Sequence, residues 1–147
     1  MTGFNHTLVG ASIGLAIKQP VLIAPIAFIS HIICDSLPHF ADNKRFRPFG
    51  KNFIALLIFD AILCFTILGL SMYFLPSYWW PLIVGMFFAT LPDFLWIPYY
   101  YFKEPKNFFY KVHINVQWGQ RPYGWIYEIG YFGVFLLLFI SLGMSLS

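Results

Sequence analysis

The chain has 147 residues, of which 59% are hydrophobic and only 10% charged, against roughly a quarter charged in an ordinary soluble domain. Those figures exclude a water-soluble monomer. With 18 Phe, 9 Tyr and 5 Trp but nine Lys plus Arg, they also exclude disorder and a phosphate-tracking nucleic-acid surface. The length suits one integral membrane domain, residues 1–147, of about five helices at roughly 20 residues each.

In chain order, a cleavable signal peptide fits poorly, because Met1 to Thr7 holds no Lys or Arg and the next apolar stretch leads straight into another. Thr7–Ile17 and Val21–Leu37 are two apolar segments split by Lys18-Gln19-Pro20, a breaker that predicts a helical hairpin. The first is too short to cross a bilayer comfortably, but Gly10-x3-Gly14 gives it a face of small residues suited to close packing. No basic residue lies between Lys51 and Lys103, an interval predicted to hold helices over 53–75 and 81–101 around a Pro76–Pro81 turn. A fifth span is expected over 123–145. The expected fold is therefore all-α, a polytopic membrane helical bundle. Cys34 and Cys64 lie in apolar stretches and suggest no disulfide framework.

If the segments alternate in direction, eight basic residues fall on one side: Lys44, Arg45, Arg47, Lys51, Lys103, Lys106, Lys111 and Arg121. Lys18 alone falls opposite. The positive-inside rule then predicts a cytoplasmic N-terminus in a bacterial-type inner or plasma membrane, and the basic loops also suit lipid headgroups. A weak echo at a separation of 54 pairs Leu37-Pro38-His39-Phe40 with Leu91-Pro92-Asp93-Phe94, and His6 with Asp60. It is either chance or the trace of two related hairpins plus a fifth helix.

Two acids, Asp42 and Glu104, fall in loops. The other four, Asp35, Asp60, Asp93 and Glu128, fall inside apolar spans with no Lys or Arg beside them. Left ionised and bare they would cost on the order of 10 kcal/mol, so protons, cavity water or cations must neutralise them. Depth reckoned from a turn near residue 19 sets His6 level with His31, and all the buried polar residues fall in the cytoplasmic half, which points to one site. His31 and Asp35 stand one helical turn apart and can grip the same cation, or simply hydrogen-bond each other. Pro38 is expected to free the Cys34 carbonyl and let His39 turn back to the same point. Imidazole with carboxylate suits Zn²⁺ first, with Mn²⁺ or Fe²⁺ as the other candidates. Pro92 is expected to break its helix and aim Asp93 into a cavity. His113 and Gln117, again four apart, fall in a segment rich in interfacial aromatics (Phe108, Phe109, Tyr110, Trp118), read as an amphipathic interfacial helix that anchors to the membrane or lids the site. Glu128 is the candidate general base, with Asp60 and His113 as other proton-handling groups.

The run Thr2-Gly3-Phe4-Asn5-His6-Thr7-Leu8-Val9-Gly10, the motif Ser30-His31-Ile32-Ile33-Cys34-Asp35 and the motif Leu91-Pro92-Asp93 resemble the YdjM-type membrane-bound metal-dependent hydrolases over about the first two thirds of the chain. The resemblance implies metal-binding positions at His6, His31, Asp35 and Asp93. The Ser-His-x3-Asp motif precedes Leu-Pro-Asp here, in changed order, and the family's Thr-His-Ser motif is absent. A His-x3-Asp pair is also similar to one used by zinc-dependent phospholipases C. The reading reached is a small membrane metal-dependent hydrolase of an ester or phosphoester, lipid or lipid-linked, with a divalent metal held by His6, His31, Asp35 and Asp93 assisted by His39. Its rivals are a cation or proton transporter using the same acids, against which the outer half offers little polar path, and a non-catalytic scaffold with structural metal.

Overall fold

In the computed structural model, which describes residues 1–42, 45, 50–95 and 108–146, the chain reverses where Lys18-Gln19-Pro20 predicts. Lys18 adopts the left-handed conformation (φ 57°) and its N–H caps the Gly14 carbonyl, closing helix α1 (Gly3–Ile17). Pro20 opens helix α2 (Pro20–Asp35) at the first-turn position where a missing N–H costs nothing. Helix α3 (Lys51–Phe74) and helix α4 (Trp79–Thr90) form the second hairpin, joined through a 3₁₀ turn at Pro76–Tyr78. Lys18 Nζ sits 5.2 Å from the centre of the Tyr78 ring, so the two hairpin turns share one end of the molecule. At Leu91–Leu95 the α-helical ladder gives way to a 3₁₀ turn, since Pro92 supplies no N–H. The expected helix over 81–101 therefore ends at Thr90, and its 96–101 end lies outside the described residues, as do Lys44, Arg47, Lys103, Glu104 and Lys106. Helix α5 (Phe108–Val116) and helix α6 (Trp125–Met144) follow. Between them Gln120–Arg121 pairs in parallel with His39–Phe40, a two-residue ladder not expected from the sequence.

The short α1 is the centre of the bundle. It packs chiefly on α4 and also touches α2, α3 and α6. A Cβ on Gly10 would strike the carbonyl oxygen of Gly85, one on Gly85 would strike that of Gly10, and one on Gly14 that of Pro81. The Gly10-x3-Gly14 face thus brings two backbones into contact, the packing favoured where lipid removes the hydrophobic drive. Along its length α1 divides. Its last turns place Ala11 and Leu15 in an apolar core with Leu82 and Met86 of α4. Its first turns bury Asn5, His6 and Thr7. With 15 residues α1 is about 22 Å long, less than a hydrocarbon core, but its surroundings are protein.

Among the described residues, α3 and α6 are the two helices long and apolar enough to cross a membrane. Most of their apolar side chains point outward. None of the most apolar stretch of α3 is buried, and Phe65, Tyr73 and Phe74 of α3, with Leu137 of α6, are exposed. Mostly buried core helices of water-soluble proteins look different. Both cysteines are free thiols.

Candidate metal centre

His31 and Asp35, the second-last turn and last residue of α2, share the buried face predicted by their spacing, and both are 0% exposed. His31 Nδ1–H donates to the carbonyl of Ala89 at 2.7 Å, one of the last carbonyls of α4, which a helix end leaves without a full set of partners. A carbonyl only accepts, so this bond puts a proton on Nδ1 and turns Nε2 inward toward the carboxylates. That nitrogen is buried and has no hydrogen-bond partner among the described residues. It lies 3.2 Å from Asp35 Oδ2 and 3.6 Å from Asp93 Oδ1. The Pro92 break does what its position predicts: it ends the helix, exposes a carbonyl that His31 uses and delivers Asp93 to the same point.

Helix α5 supplies the fourth group. His113 Nδ1 is 3.8 Å from Asp35 Oδ2, and its Nε2 is 4.0 Å from Asp93 Oδ1. One ligand atom from each of His31, Asp35, Asp93 and His113 lies within 4.8 Å of all the others. Ligands roughly 2.0–2.2 Å from one tetrahedral ion stand roughly 3.3–3.6 Å apart, so small side-chain movements would bring the four onto a single cation. The donor set is two imidazole nitrogens and two carboxylates, and the two negative charges would balance a divalent ion. Burial, the largest cause, pushes His113 down to about 4, so it is a neutral donor near neutral pH. The Gln117 amide bridges the group, with Nε2 2.9 Å from His113 Nε2 and donating to Asp35 Oδ2 at 3.3 Å. Its Oε1 accepts from Gln120 Nε2 at 2.9 Å, which ties the cluster to the short ladder. Of the four ligand side chains Asp93 is the most exposed, at 33%, against 9% for His113.

His6 lies beside this group rather than in it. Its ring stacks on His31 at 3.8 Å, as equal depth on a hairpin turning at residue 19 requires, and its Nε2–H donates to Asp35 Oδ1 at 3.1 Å. The amino group of Met1 reaches the same oxygen. Asp35 therefore divides its oxygens, Oδ1 to His6 and Oδ2 to His31 and His113. His39 does not turn into the cluster. The Cys34 carbonyl accepts from Leu37 N–H at 3.1 Å and is not freed, and His39 Nδ1–H donates to Leu37 O at 2.8 Å while its backbone joins the ladder. Burial lowers its basicity.

Asp60 and Glu128 are placed elsewhere, at the start of α1. Thr2 caps that helix with no side-chain bond of its own, and no acid lies in its first turn. Asp60 accepts from Gly3 N–H at 2.8 Å and Phe4 N–H at 3.0 Å. Glu128 accepts from Thr2 N–H, from the Thr2 hydroxyl at 2.8 Å, from Asn5 Nδ2 at 2.7 Å and from Phe40 N–H at 3.2 Å. A Cβ on Gly3 would stand 2.6 Å from Asp60 Oδ2, so glycine lets that carboxylate reach the amides. Free N–H groups and the positive end of the helix dipole thus meet two carboxylates that pair with no basic side chain among the described residues.

The sequence reading assigned His113 to proton transfer, whereas the structure puts it among the four ligand candidates. The signal was present in the His113-x3-Gln117 spacing, the same one-turn interval as His31-x3-Asp35. Comparison with known proteins found no match: no family model, no curated protein and no solved structure matches this chain.

Proposed function

We propose that the protein is a small polytopic membrane metalloenzyme that hydrolyses an ester or phosphoester of a lipid or lipid-linked molecule, with Zn²⁺ as the first candidate ion and Mn²⁺ or Fe²⁺ next. The observation that carries this reading is His31 Nε2, a buried ring nitrogen with no hydrogen-bond partner among the described residues, oriented by Nδ1–H on Ala89 and facing two carboxylates and a second imidazole. A divalent ion there would polarise the scissile ester oxygen and lower the pKa of water. His31, Asp35, Asp93 and His113 would hold it, and Gln117 would orient His113. With Asp60 and Glu128 engaged at the start of α1, Asp93 is the carboxylate through which water and a proton can pass, because it is the most exposed member of the group. The outward apolar faces of α3 and α6 support a bilayer setting. The concentration of basic residues in the sequence segments 40–52 and 102–122 supports a cytoplasmic N-terminus. The resemblance to YdjM-type hydrolases supports the reaction class.

Elemental analysis of detergent-purified protein, beside His31→Ala and Asp35→Ala, tests the metal. One equivalent of transition metal in the wild type, lost in both variants, is expected; its absence from the wild type would sink the reading. Incubation with lipid extracts then tests turnover, and bound metal without turnover would leave a metal-stabilised scaffold.

A further inference from the structure

A crevice of about 270 Å³ opens beside the start of α1, walled by Phe4, Phe40, Leu56, Phe59, Trp125 and Ile129. Asp60 and Glu128 also line it, yet its wall is not that of an ion site. The Asp60 oxygens are taken by Gly3 and Phe4 amides and the Glu128 oxygens by Thr2, Asn5 and Phe40, so the carboxylates face the protein and leave hydrocarbon toward the opening. Leu56 and Phe59 come from α3, and Trp125 and Ile129 from α6, the two helices with membrane-length apolar exteriors. The crevice is therefore continuous with the surface that a bilayer would cover. Phe4 and the His6 that bonds Asp35 both belong to the first turns of α1.

We propose that this crevice takes one acyl chain of a glycerophospholipid from the surrounding bilayer, seated between α3 and α6 with its head group toward the His/Asp cluster. The direction of the head group rests on the metalloenzyme reading; the seating of the chain does not. An alkyl chain suits the site because its wall is mostly hydrocarbon, with the Asp60 and Glu128 carboxylates already accepting from Gly3, Phe4, Thr2, Asn5 and Phe40, and such a wall favours methylene groups over water or ions. Trp125, at the end of α6 nearest the cluster, supplies an amphipathic ring of the kind found at the head-group level.

The test is photo-crosslinking in phosphatidylcholine–phosphatidylglycerol vesicles that contain a trace of phospholipid with a diazirine on one acyl chain, followed by mapping of the labelled residues. Labelling is expected to concentrate on Leu56, Phe59, Trp125 and Ile129. It should fall there about tenfold in Leu56→Trp and, separately, in Ile129→Trp, since filling the crevice removes roughly two methylenes' worth of burial. Labelling at the exposed Phe65 and Leu137 should stay unchanged. Even labelling over the outer faces of α3 and α6, or crevice labelling that survives both fillings, would overturn the proposal. So would crosslinks from these positions to a second copy of the chain in place of lipid. Metal content measured on the same vesicles keeps the two readings apart. Metal-free wild type with crevice labelling intact would remove the metalloenzyme alone, whereas bound metal with even labelling would remove the crevice alone.

Discussion

Four acids fall in apolar stretches of this chain, and around the first turns of α1 they divide into two pairs with opposite solutions to the same problem. Asp60 and Glu128 find backbone N–H groups, a hydroxyl and an amide, and their charge is met by a helix terminus. Asp35 accepts from the Met1 amino group, His6 and Gln117, and Asp35 and Asp93 also face His31 and His113, whose Nε2 and Nδ1 have no hydrogen-bond partner among the described residues. A carboxylate on a helix N-terminus is complete without a ligand. A group of carboxylates and imidazoles with such partnerless nitrogens can hold a cation. The contrast teaches that burial of an acid in an apolar segment does not by itself mark a candidate site; what sets Asp35 and Asp93 apart is the ring nitrogens they face.

The sharpest break between the pairs should come from Asp35→Ala, which is expected to abolish stoichiometric metal binding, read by elemental analysis. The matched change Glu128→Ala should leave metal in whatever protein folds and instead lower stability by about 3 kcal/mol, because Thr2, Asn5 and Phe40 donors lose their acceptor. Thermal unfolding in detergent reads that loss, and metal loss from folded Glu128→Ala protein would collapse the distinction. Gln117→Ala sits between the two. It should weaken metal affinity about 10–100-fold in a chelator competition while leaving the unfolding temperature of metal-stripped protein nearly unchanged. The smallest effect is expected for Asp60→Asn, about 1 kcal/mol, since the amide keeps one acceptor oxygen for the Gly3 and Phe4 amides and Glu128 remains in place. A drop as large as that of Glu128→Ala would show that the charge, rather than the acceptor, holds α1.

Much of this arrangement was legible locally. A one-turn interval fixes His31 and Asp35 on a single face, Lys18-Gln19-Pro20 fixes the reversal, and the two together set His6 against His31. Pro92 announces the end of α4 and the delivery of Asp93. The role of His39 was misread because the break at Pro38 was taken to free a carbonyl, which Leu37 N–H instead occupies, and because the two-residue ladder to Gln120–Arg121 has no signature in so short a stretch. The place of Asp60 and Glu128 was equally hidden. Their donors lie 56 to 126 residues away along the chain, and no periodicity links positions so far apart.

By itself, then, the sequence determined the helical class, the apolar exteriors, the hairpin turns and the shared face of His31 and Asp35, because hydrophobic run length, proline chemistry and the 3.6-residue period are local. Only the tertiary structure decided which acids gather with the imidazoles. The decision rests on where the free N–H groups of α1 and the end carbonyls of α4 come to lie, and those positions follow from the Gly10–Gly85 contact that sets one helix against the other.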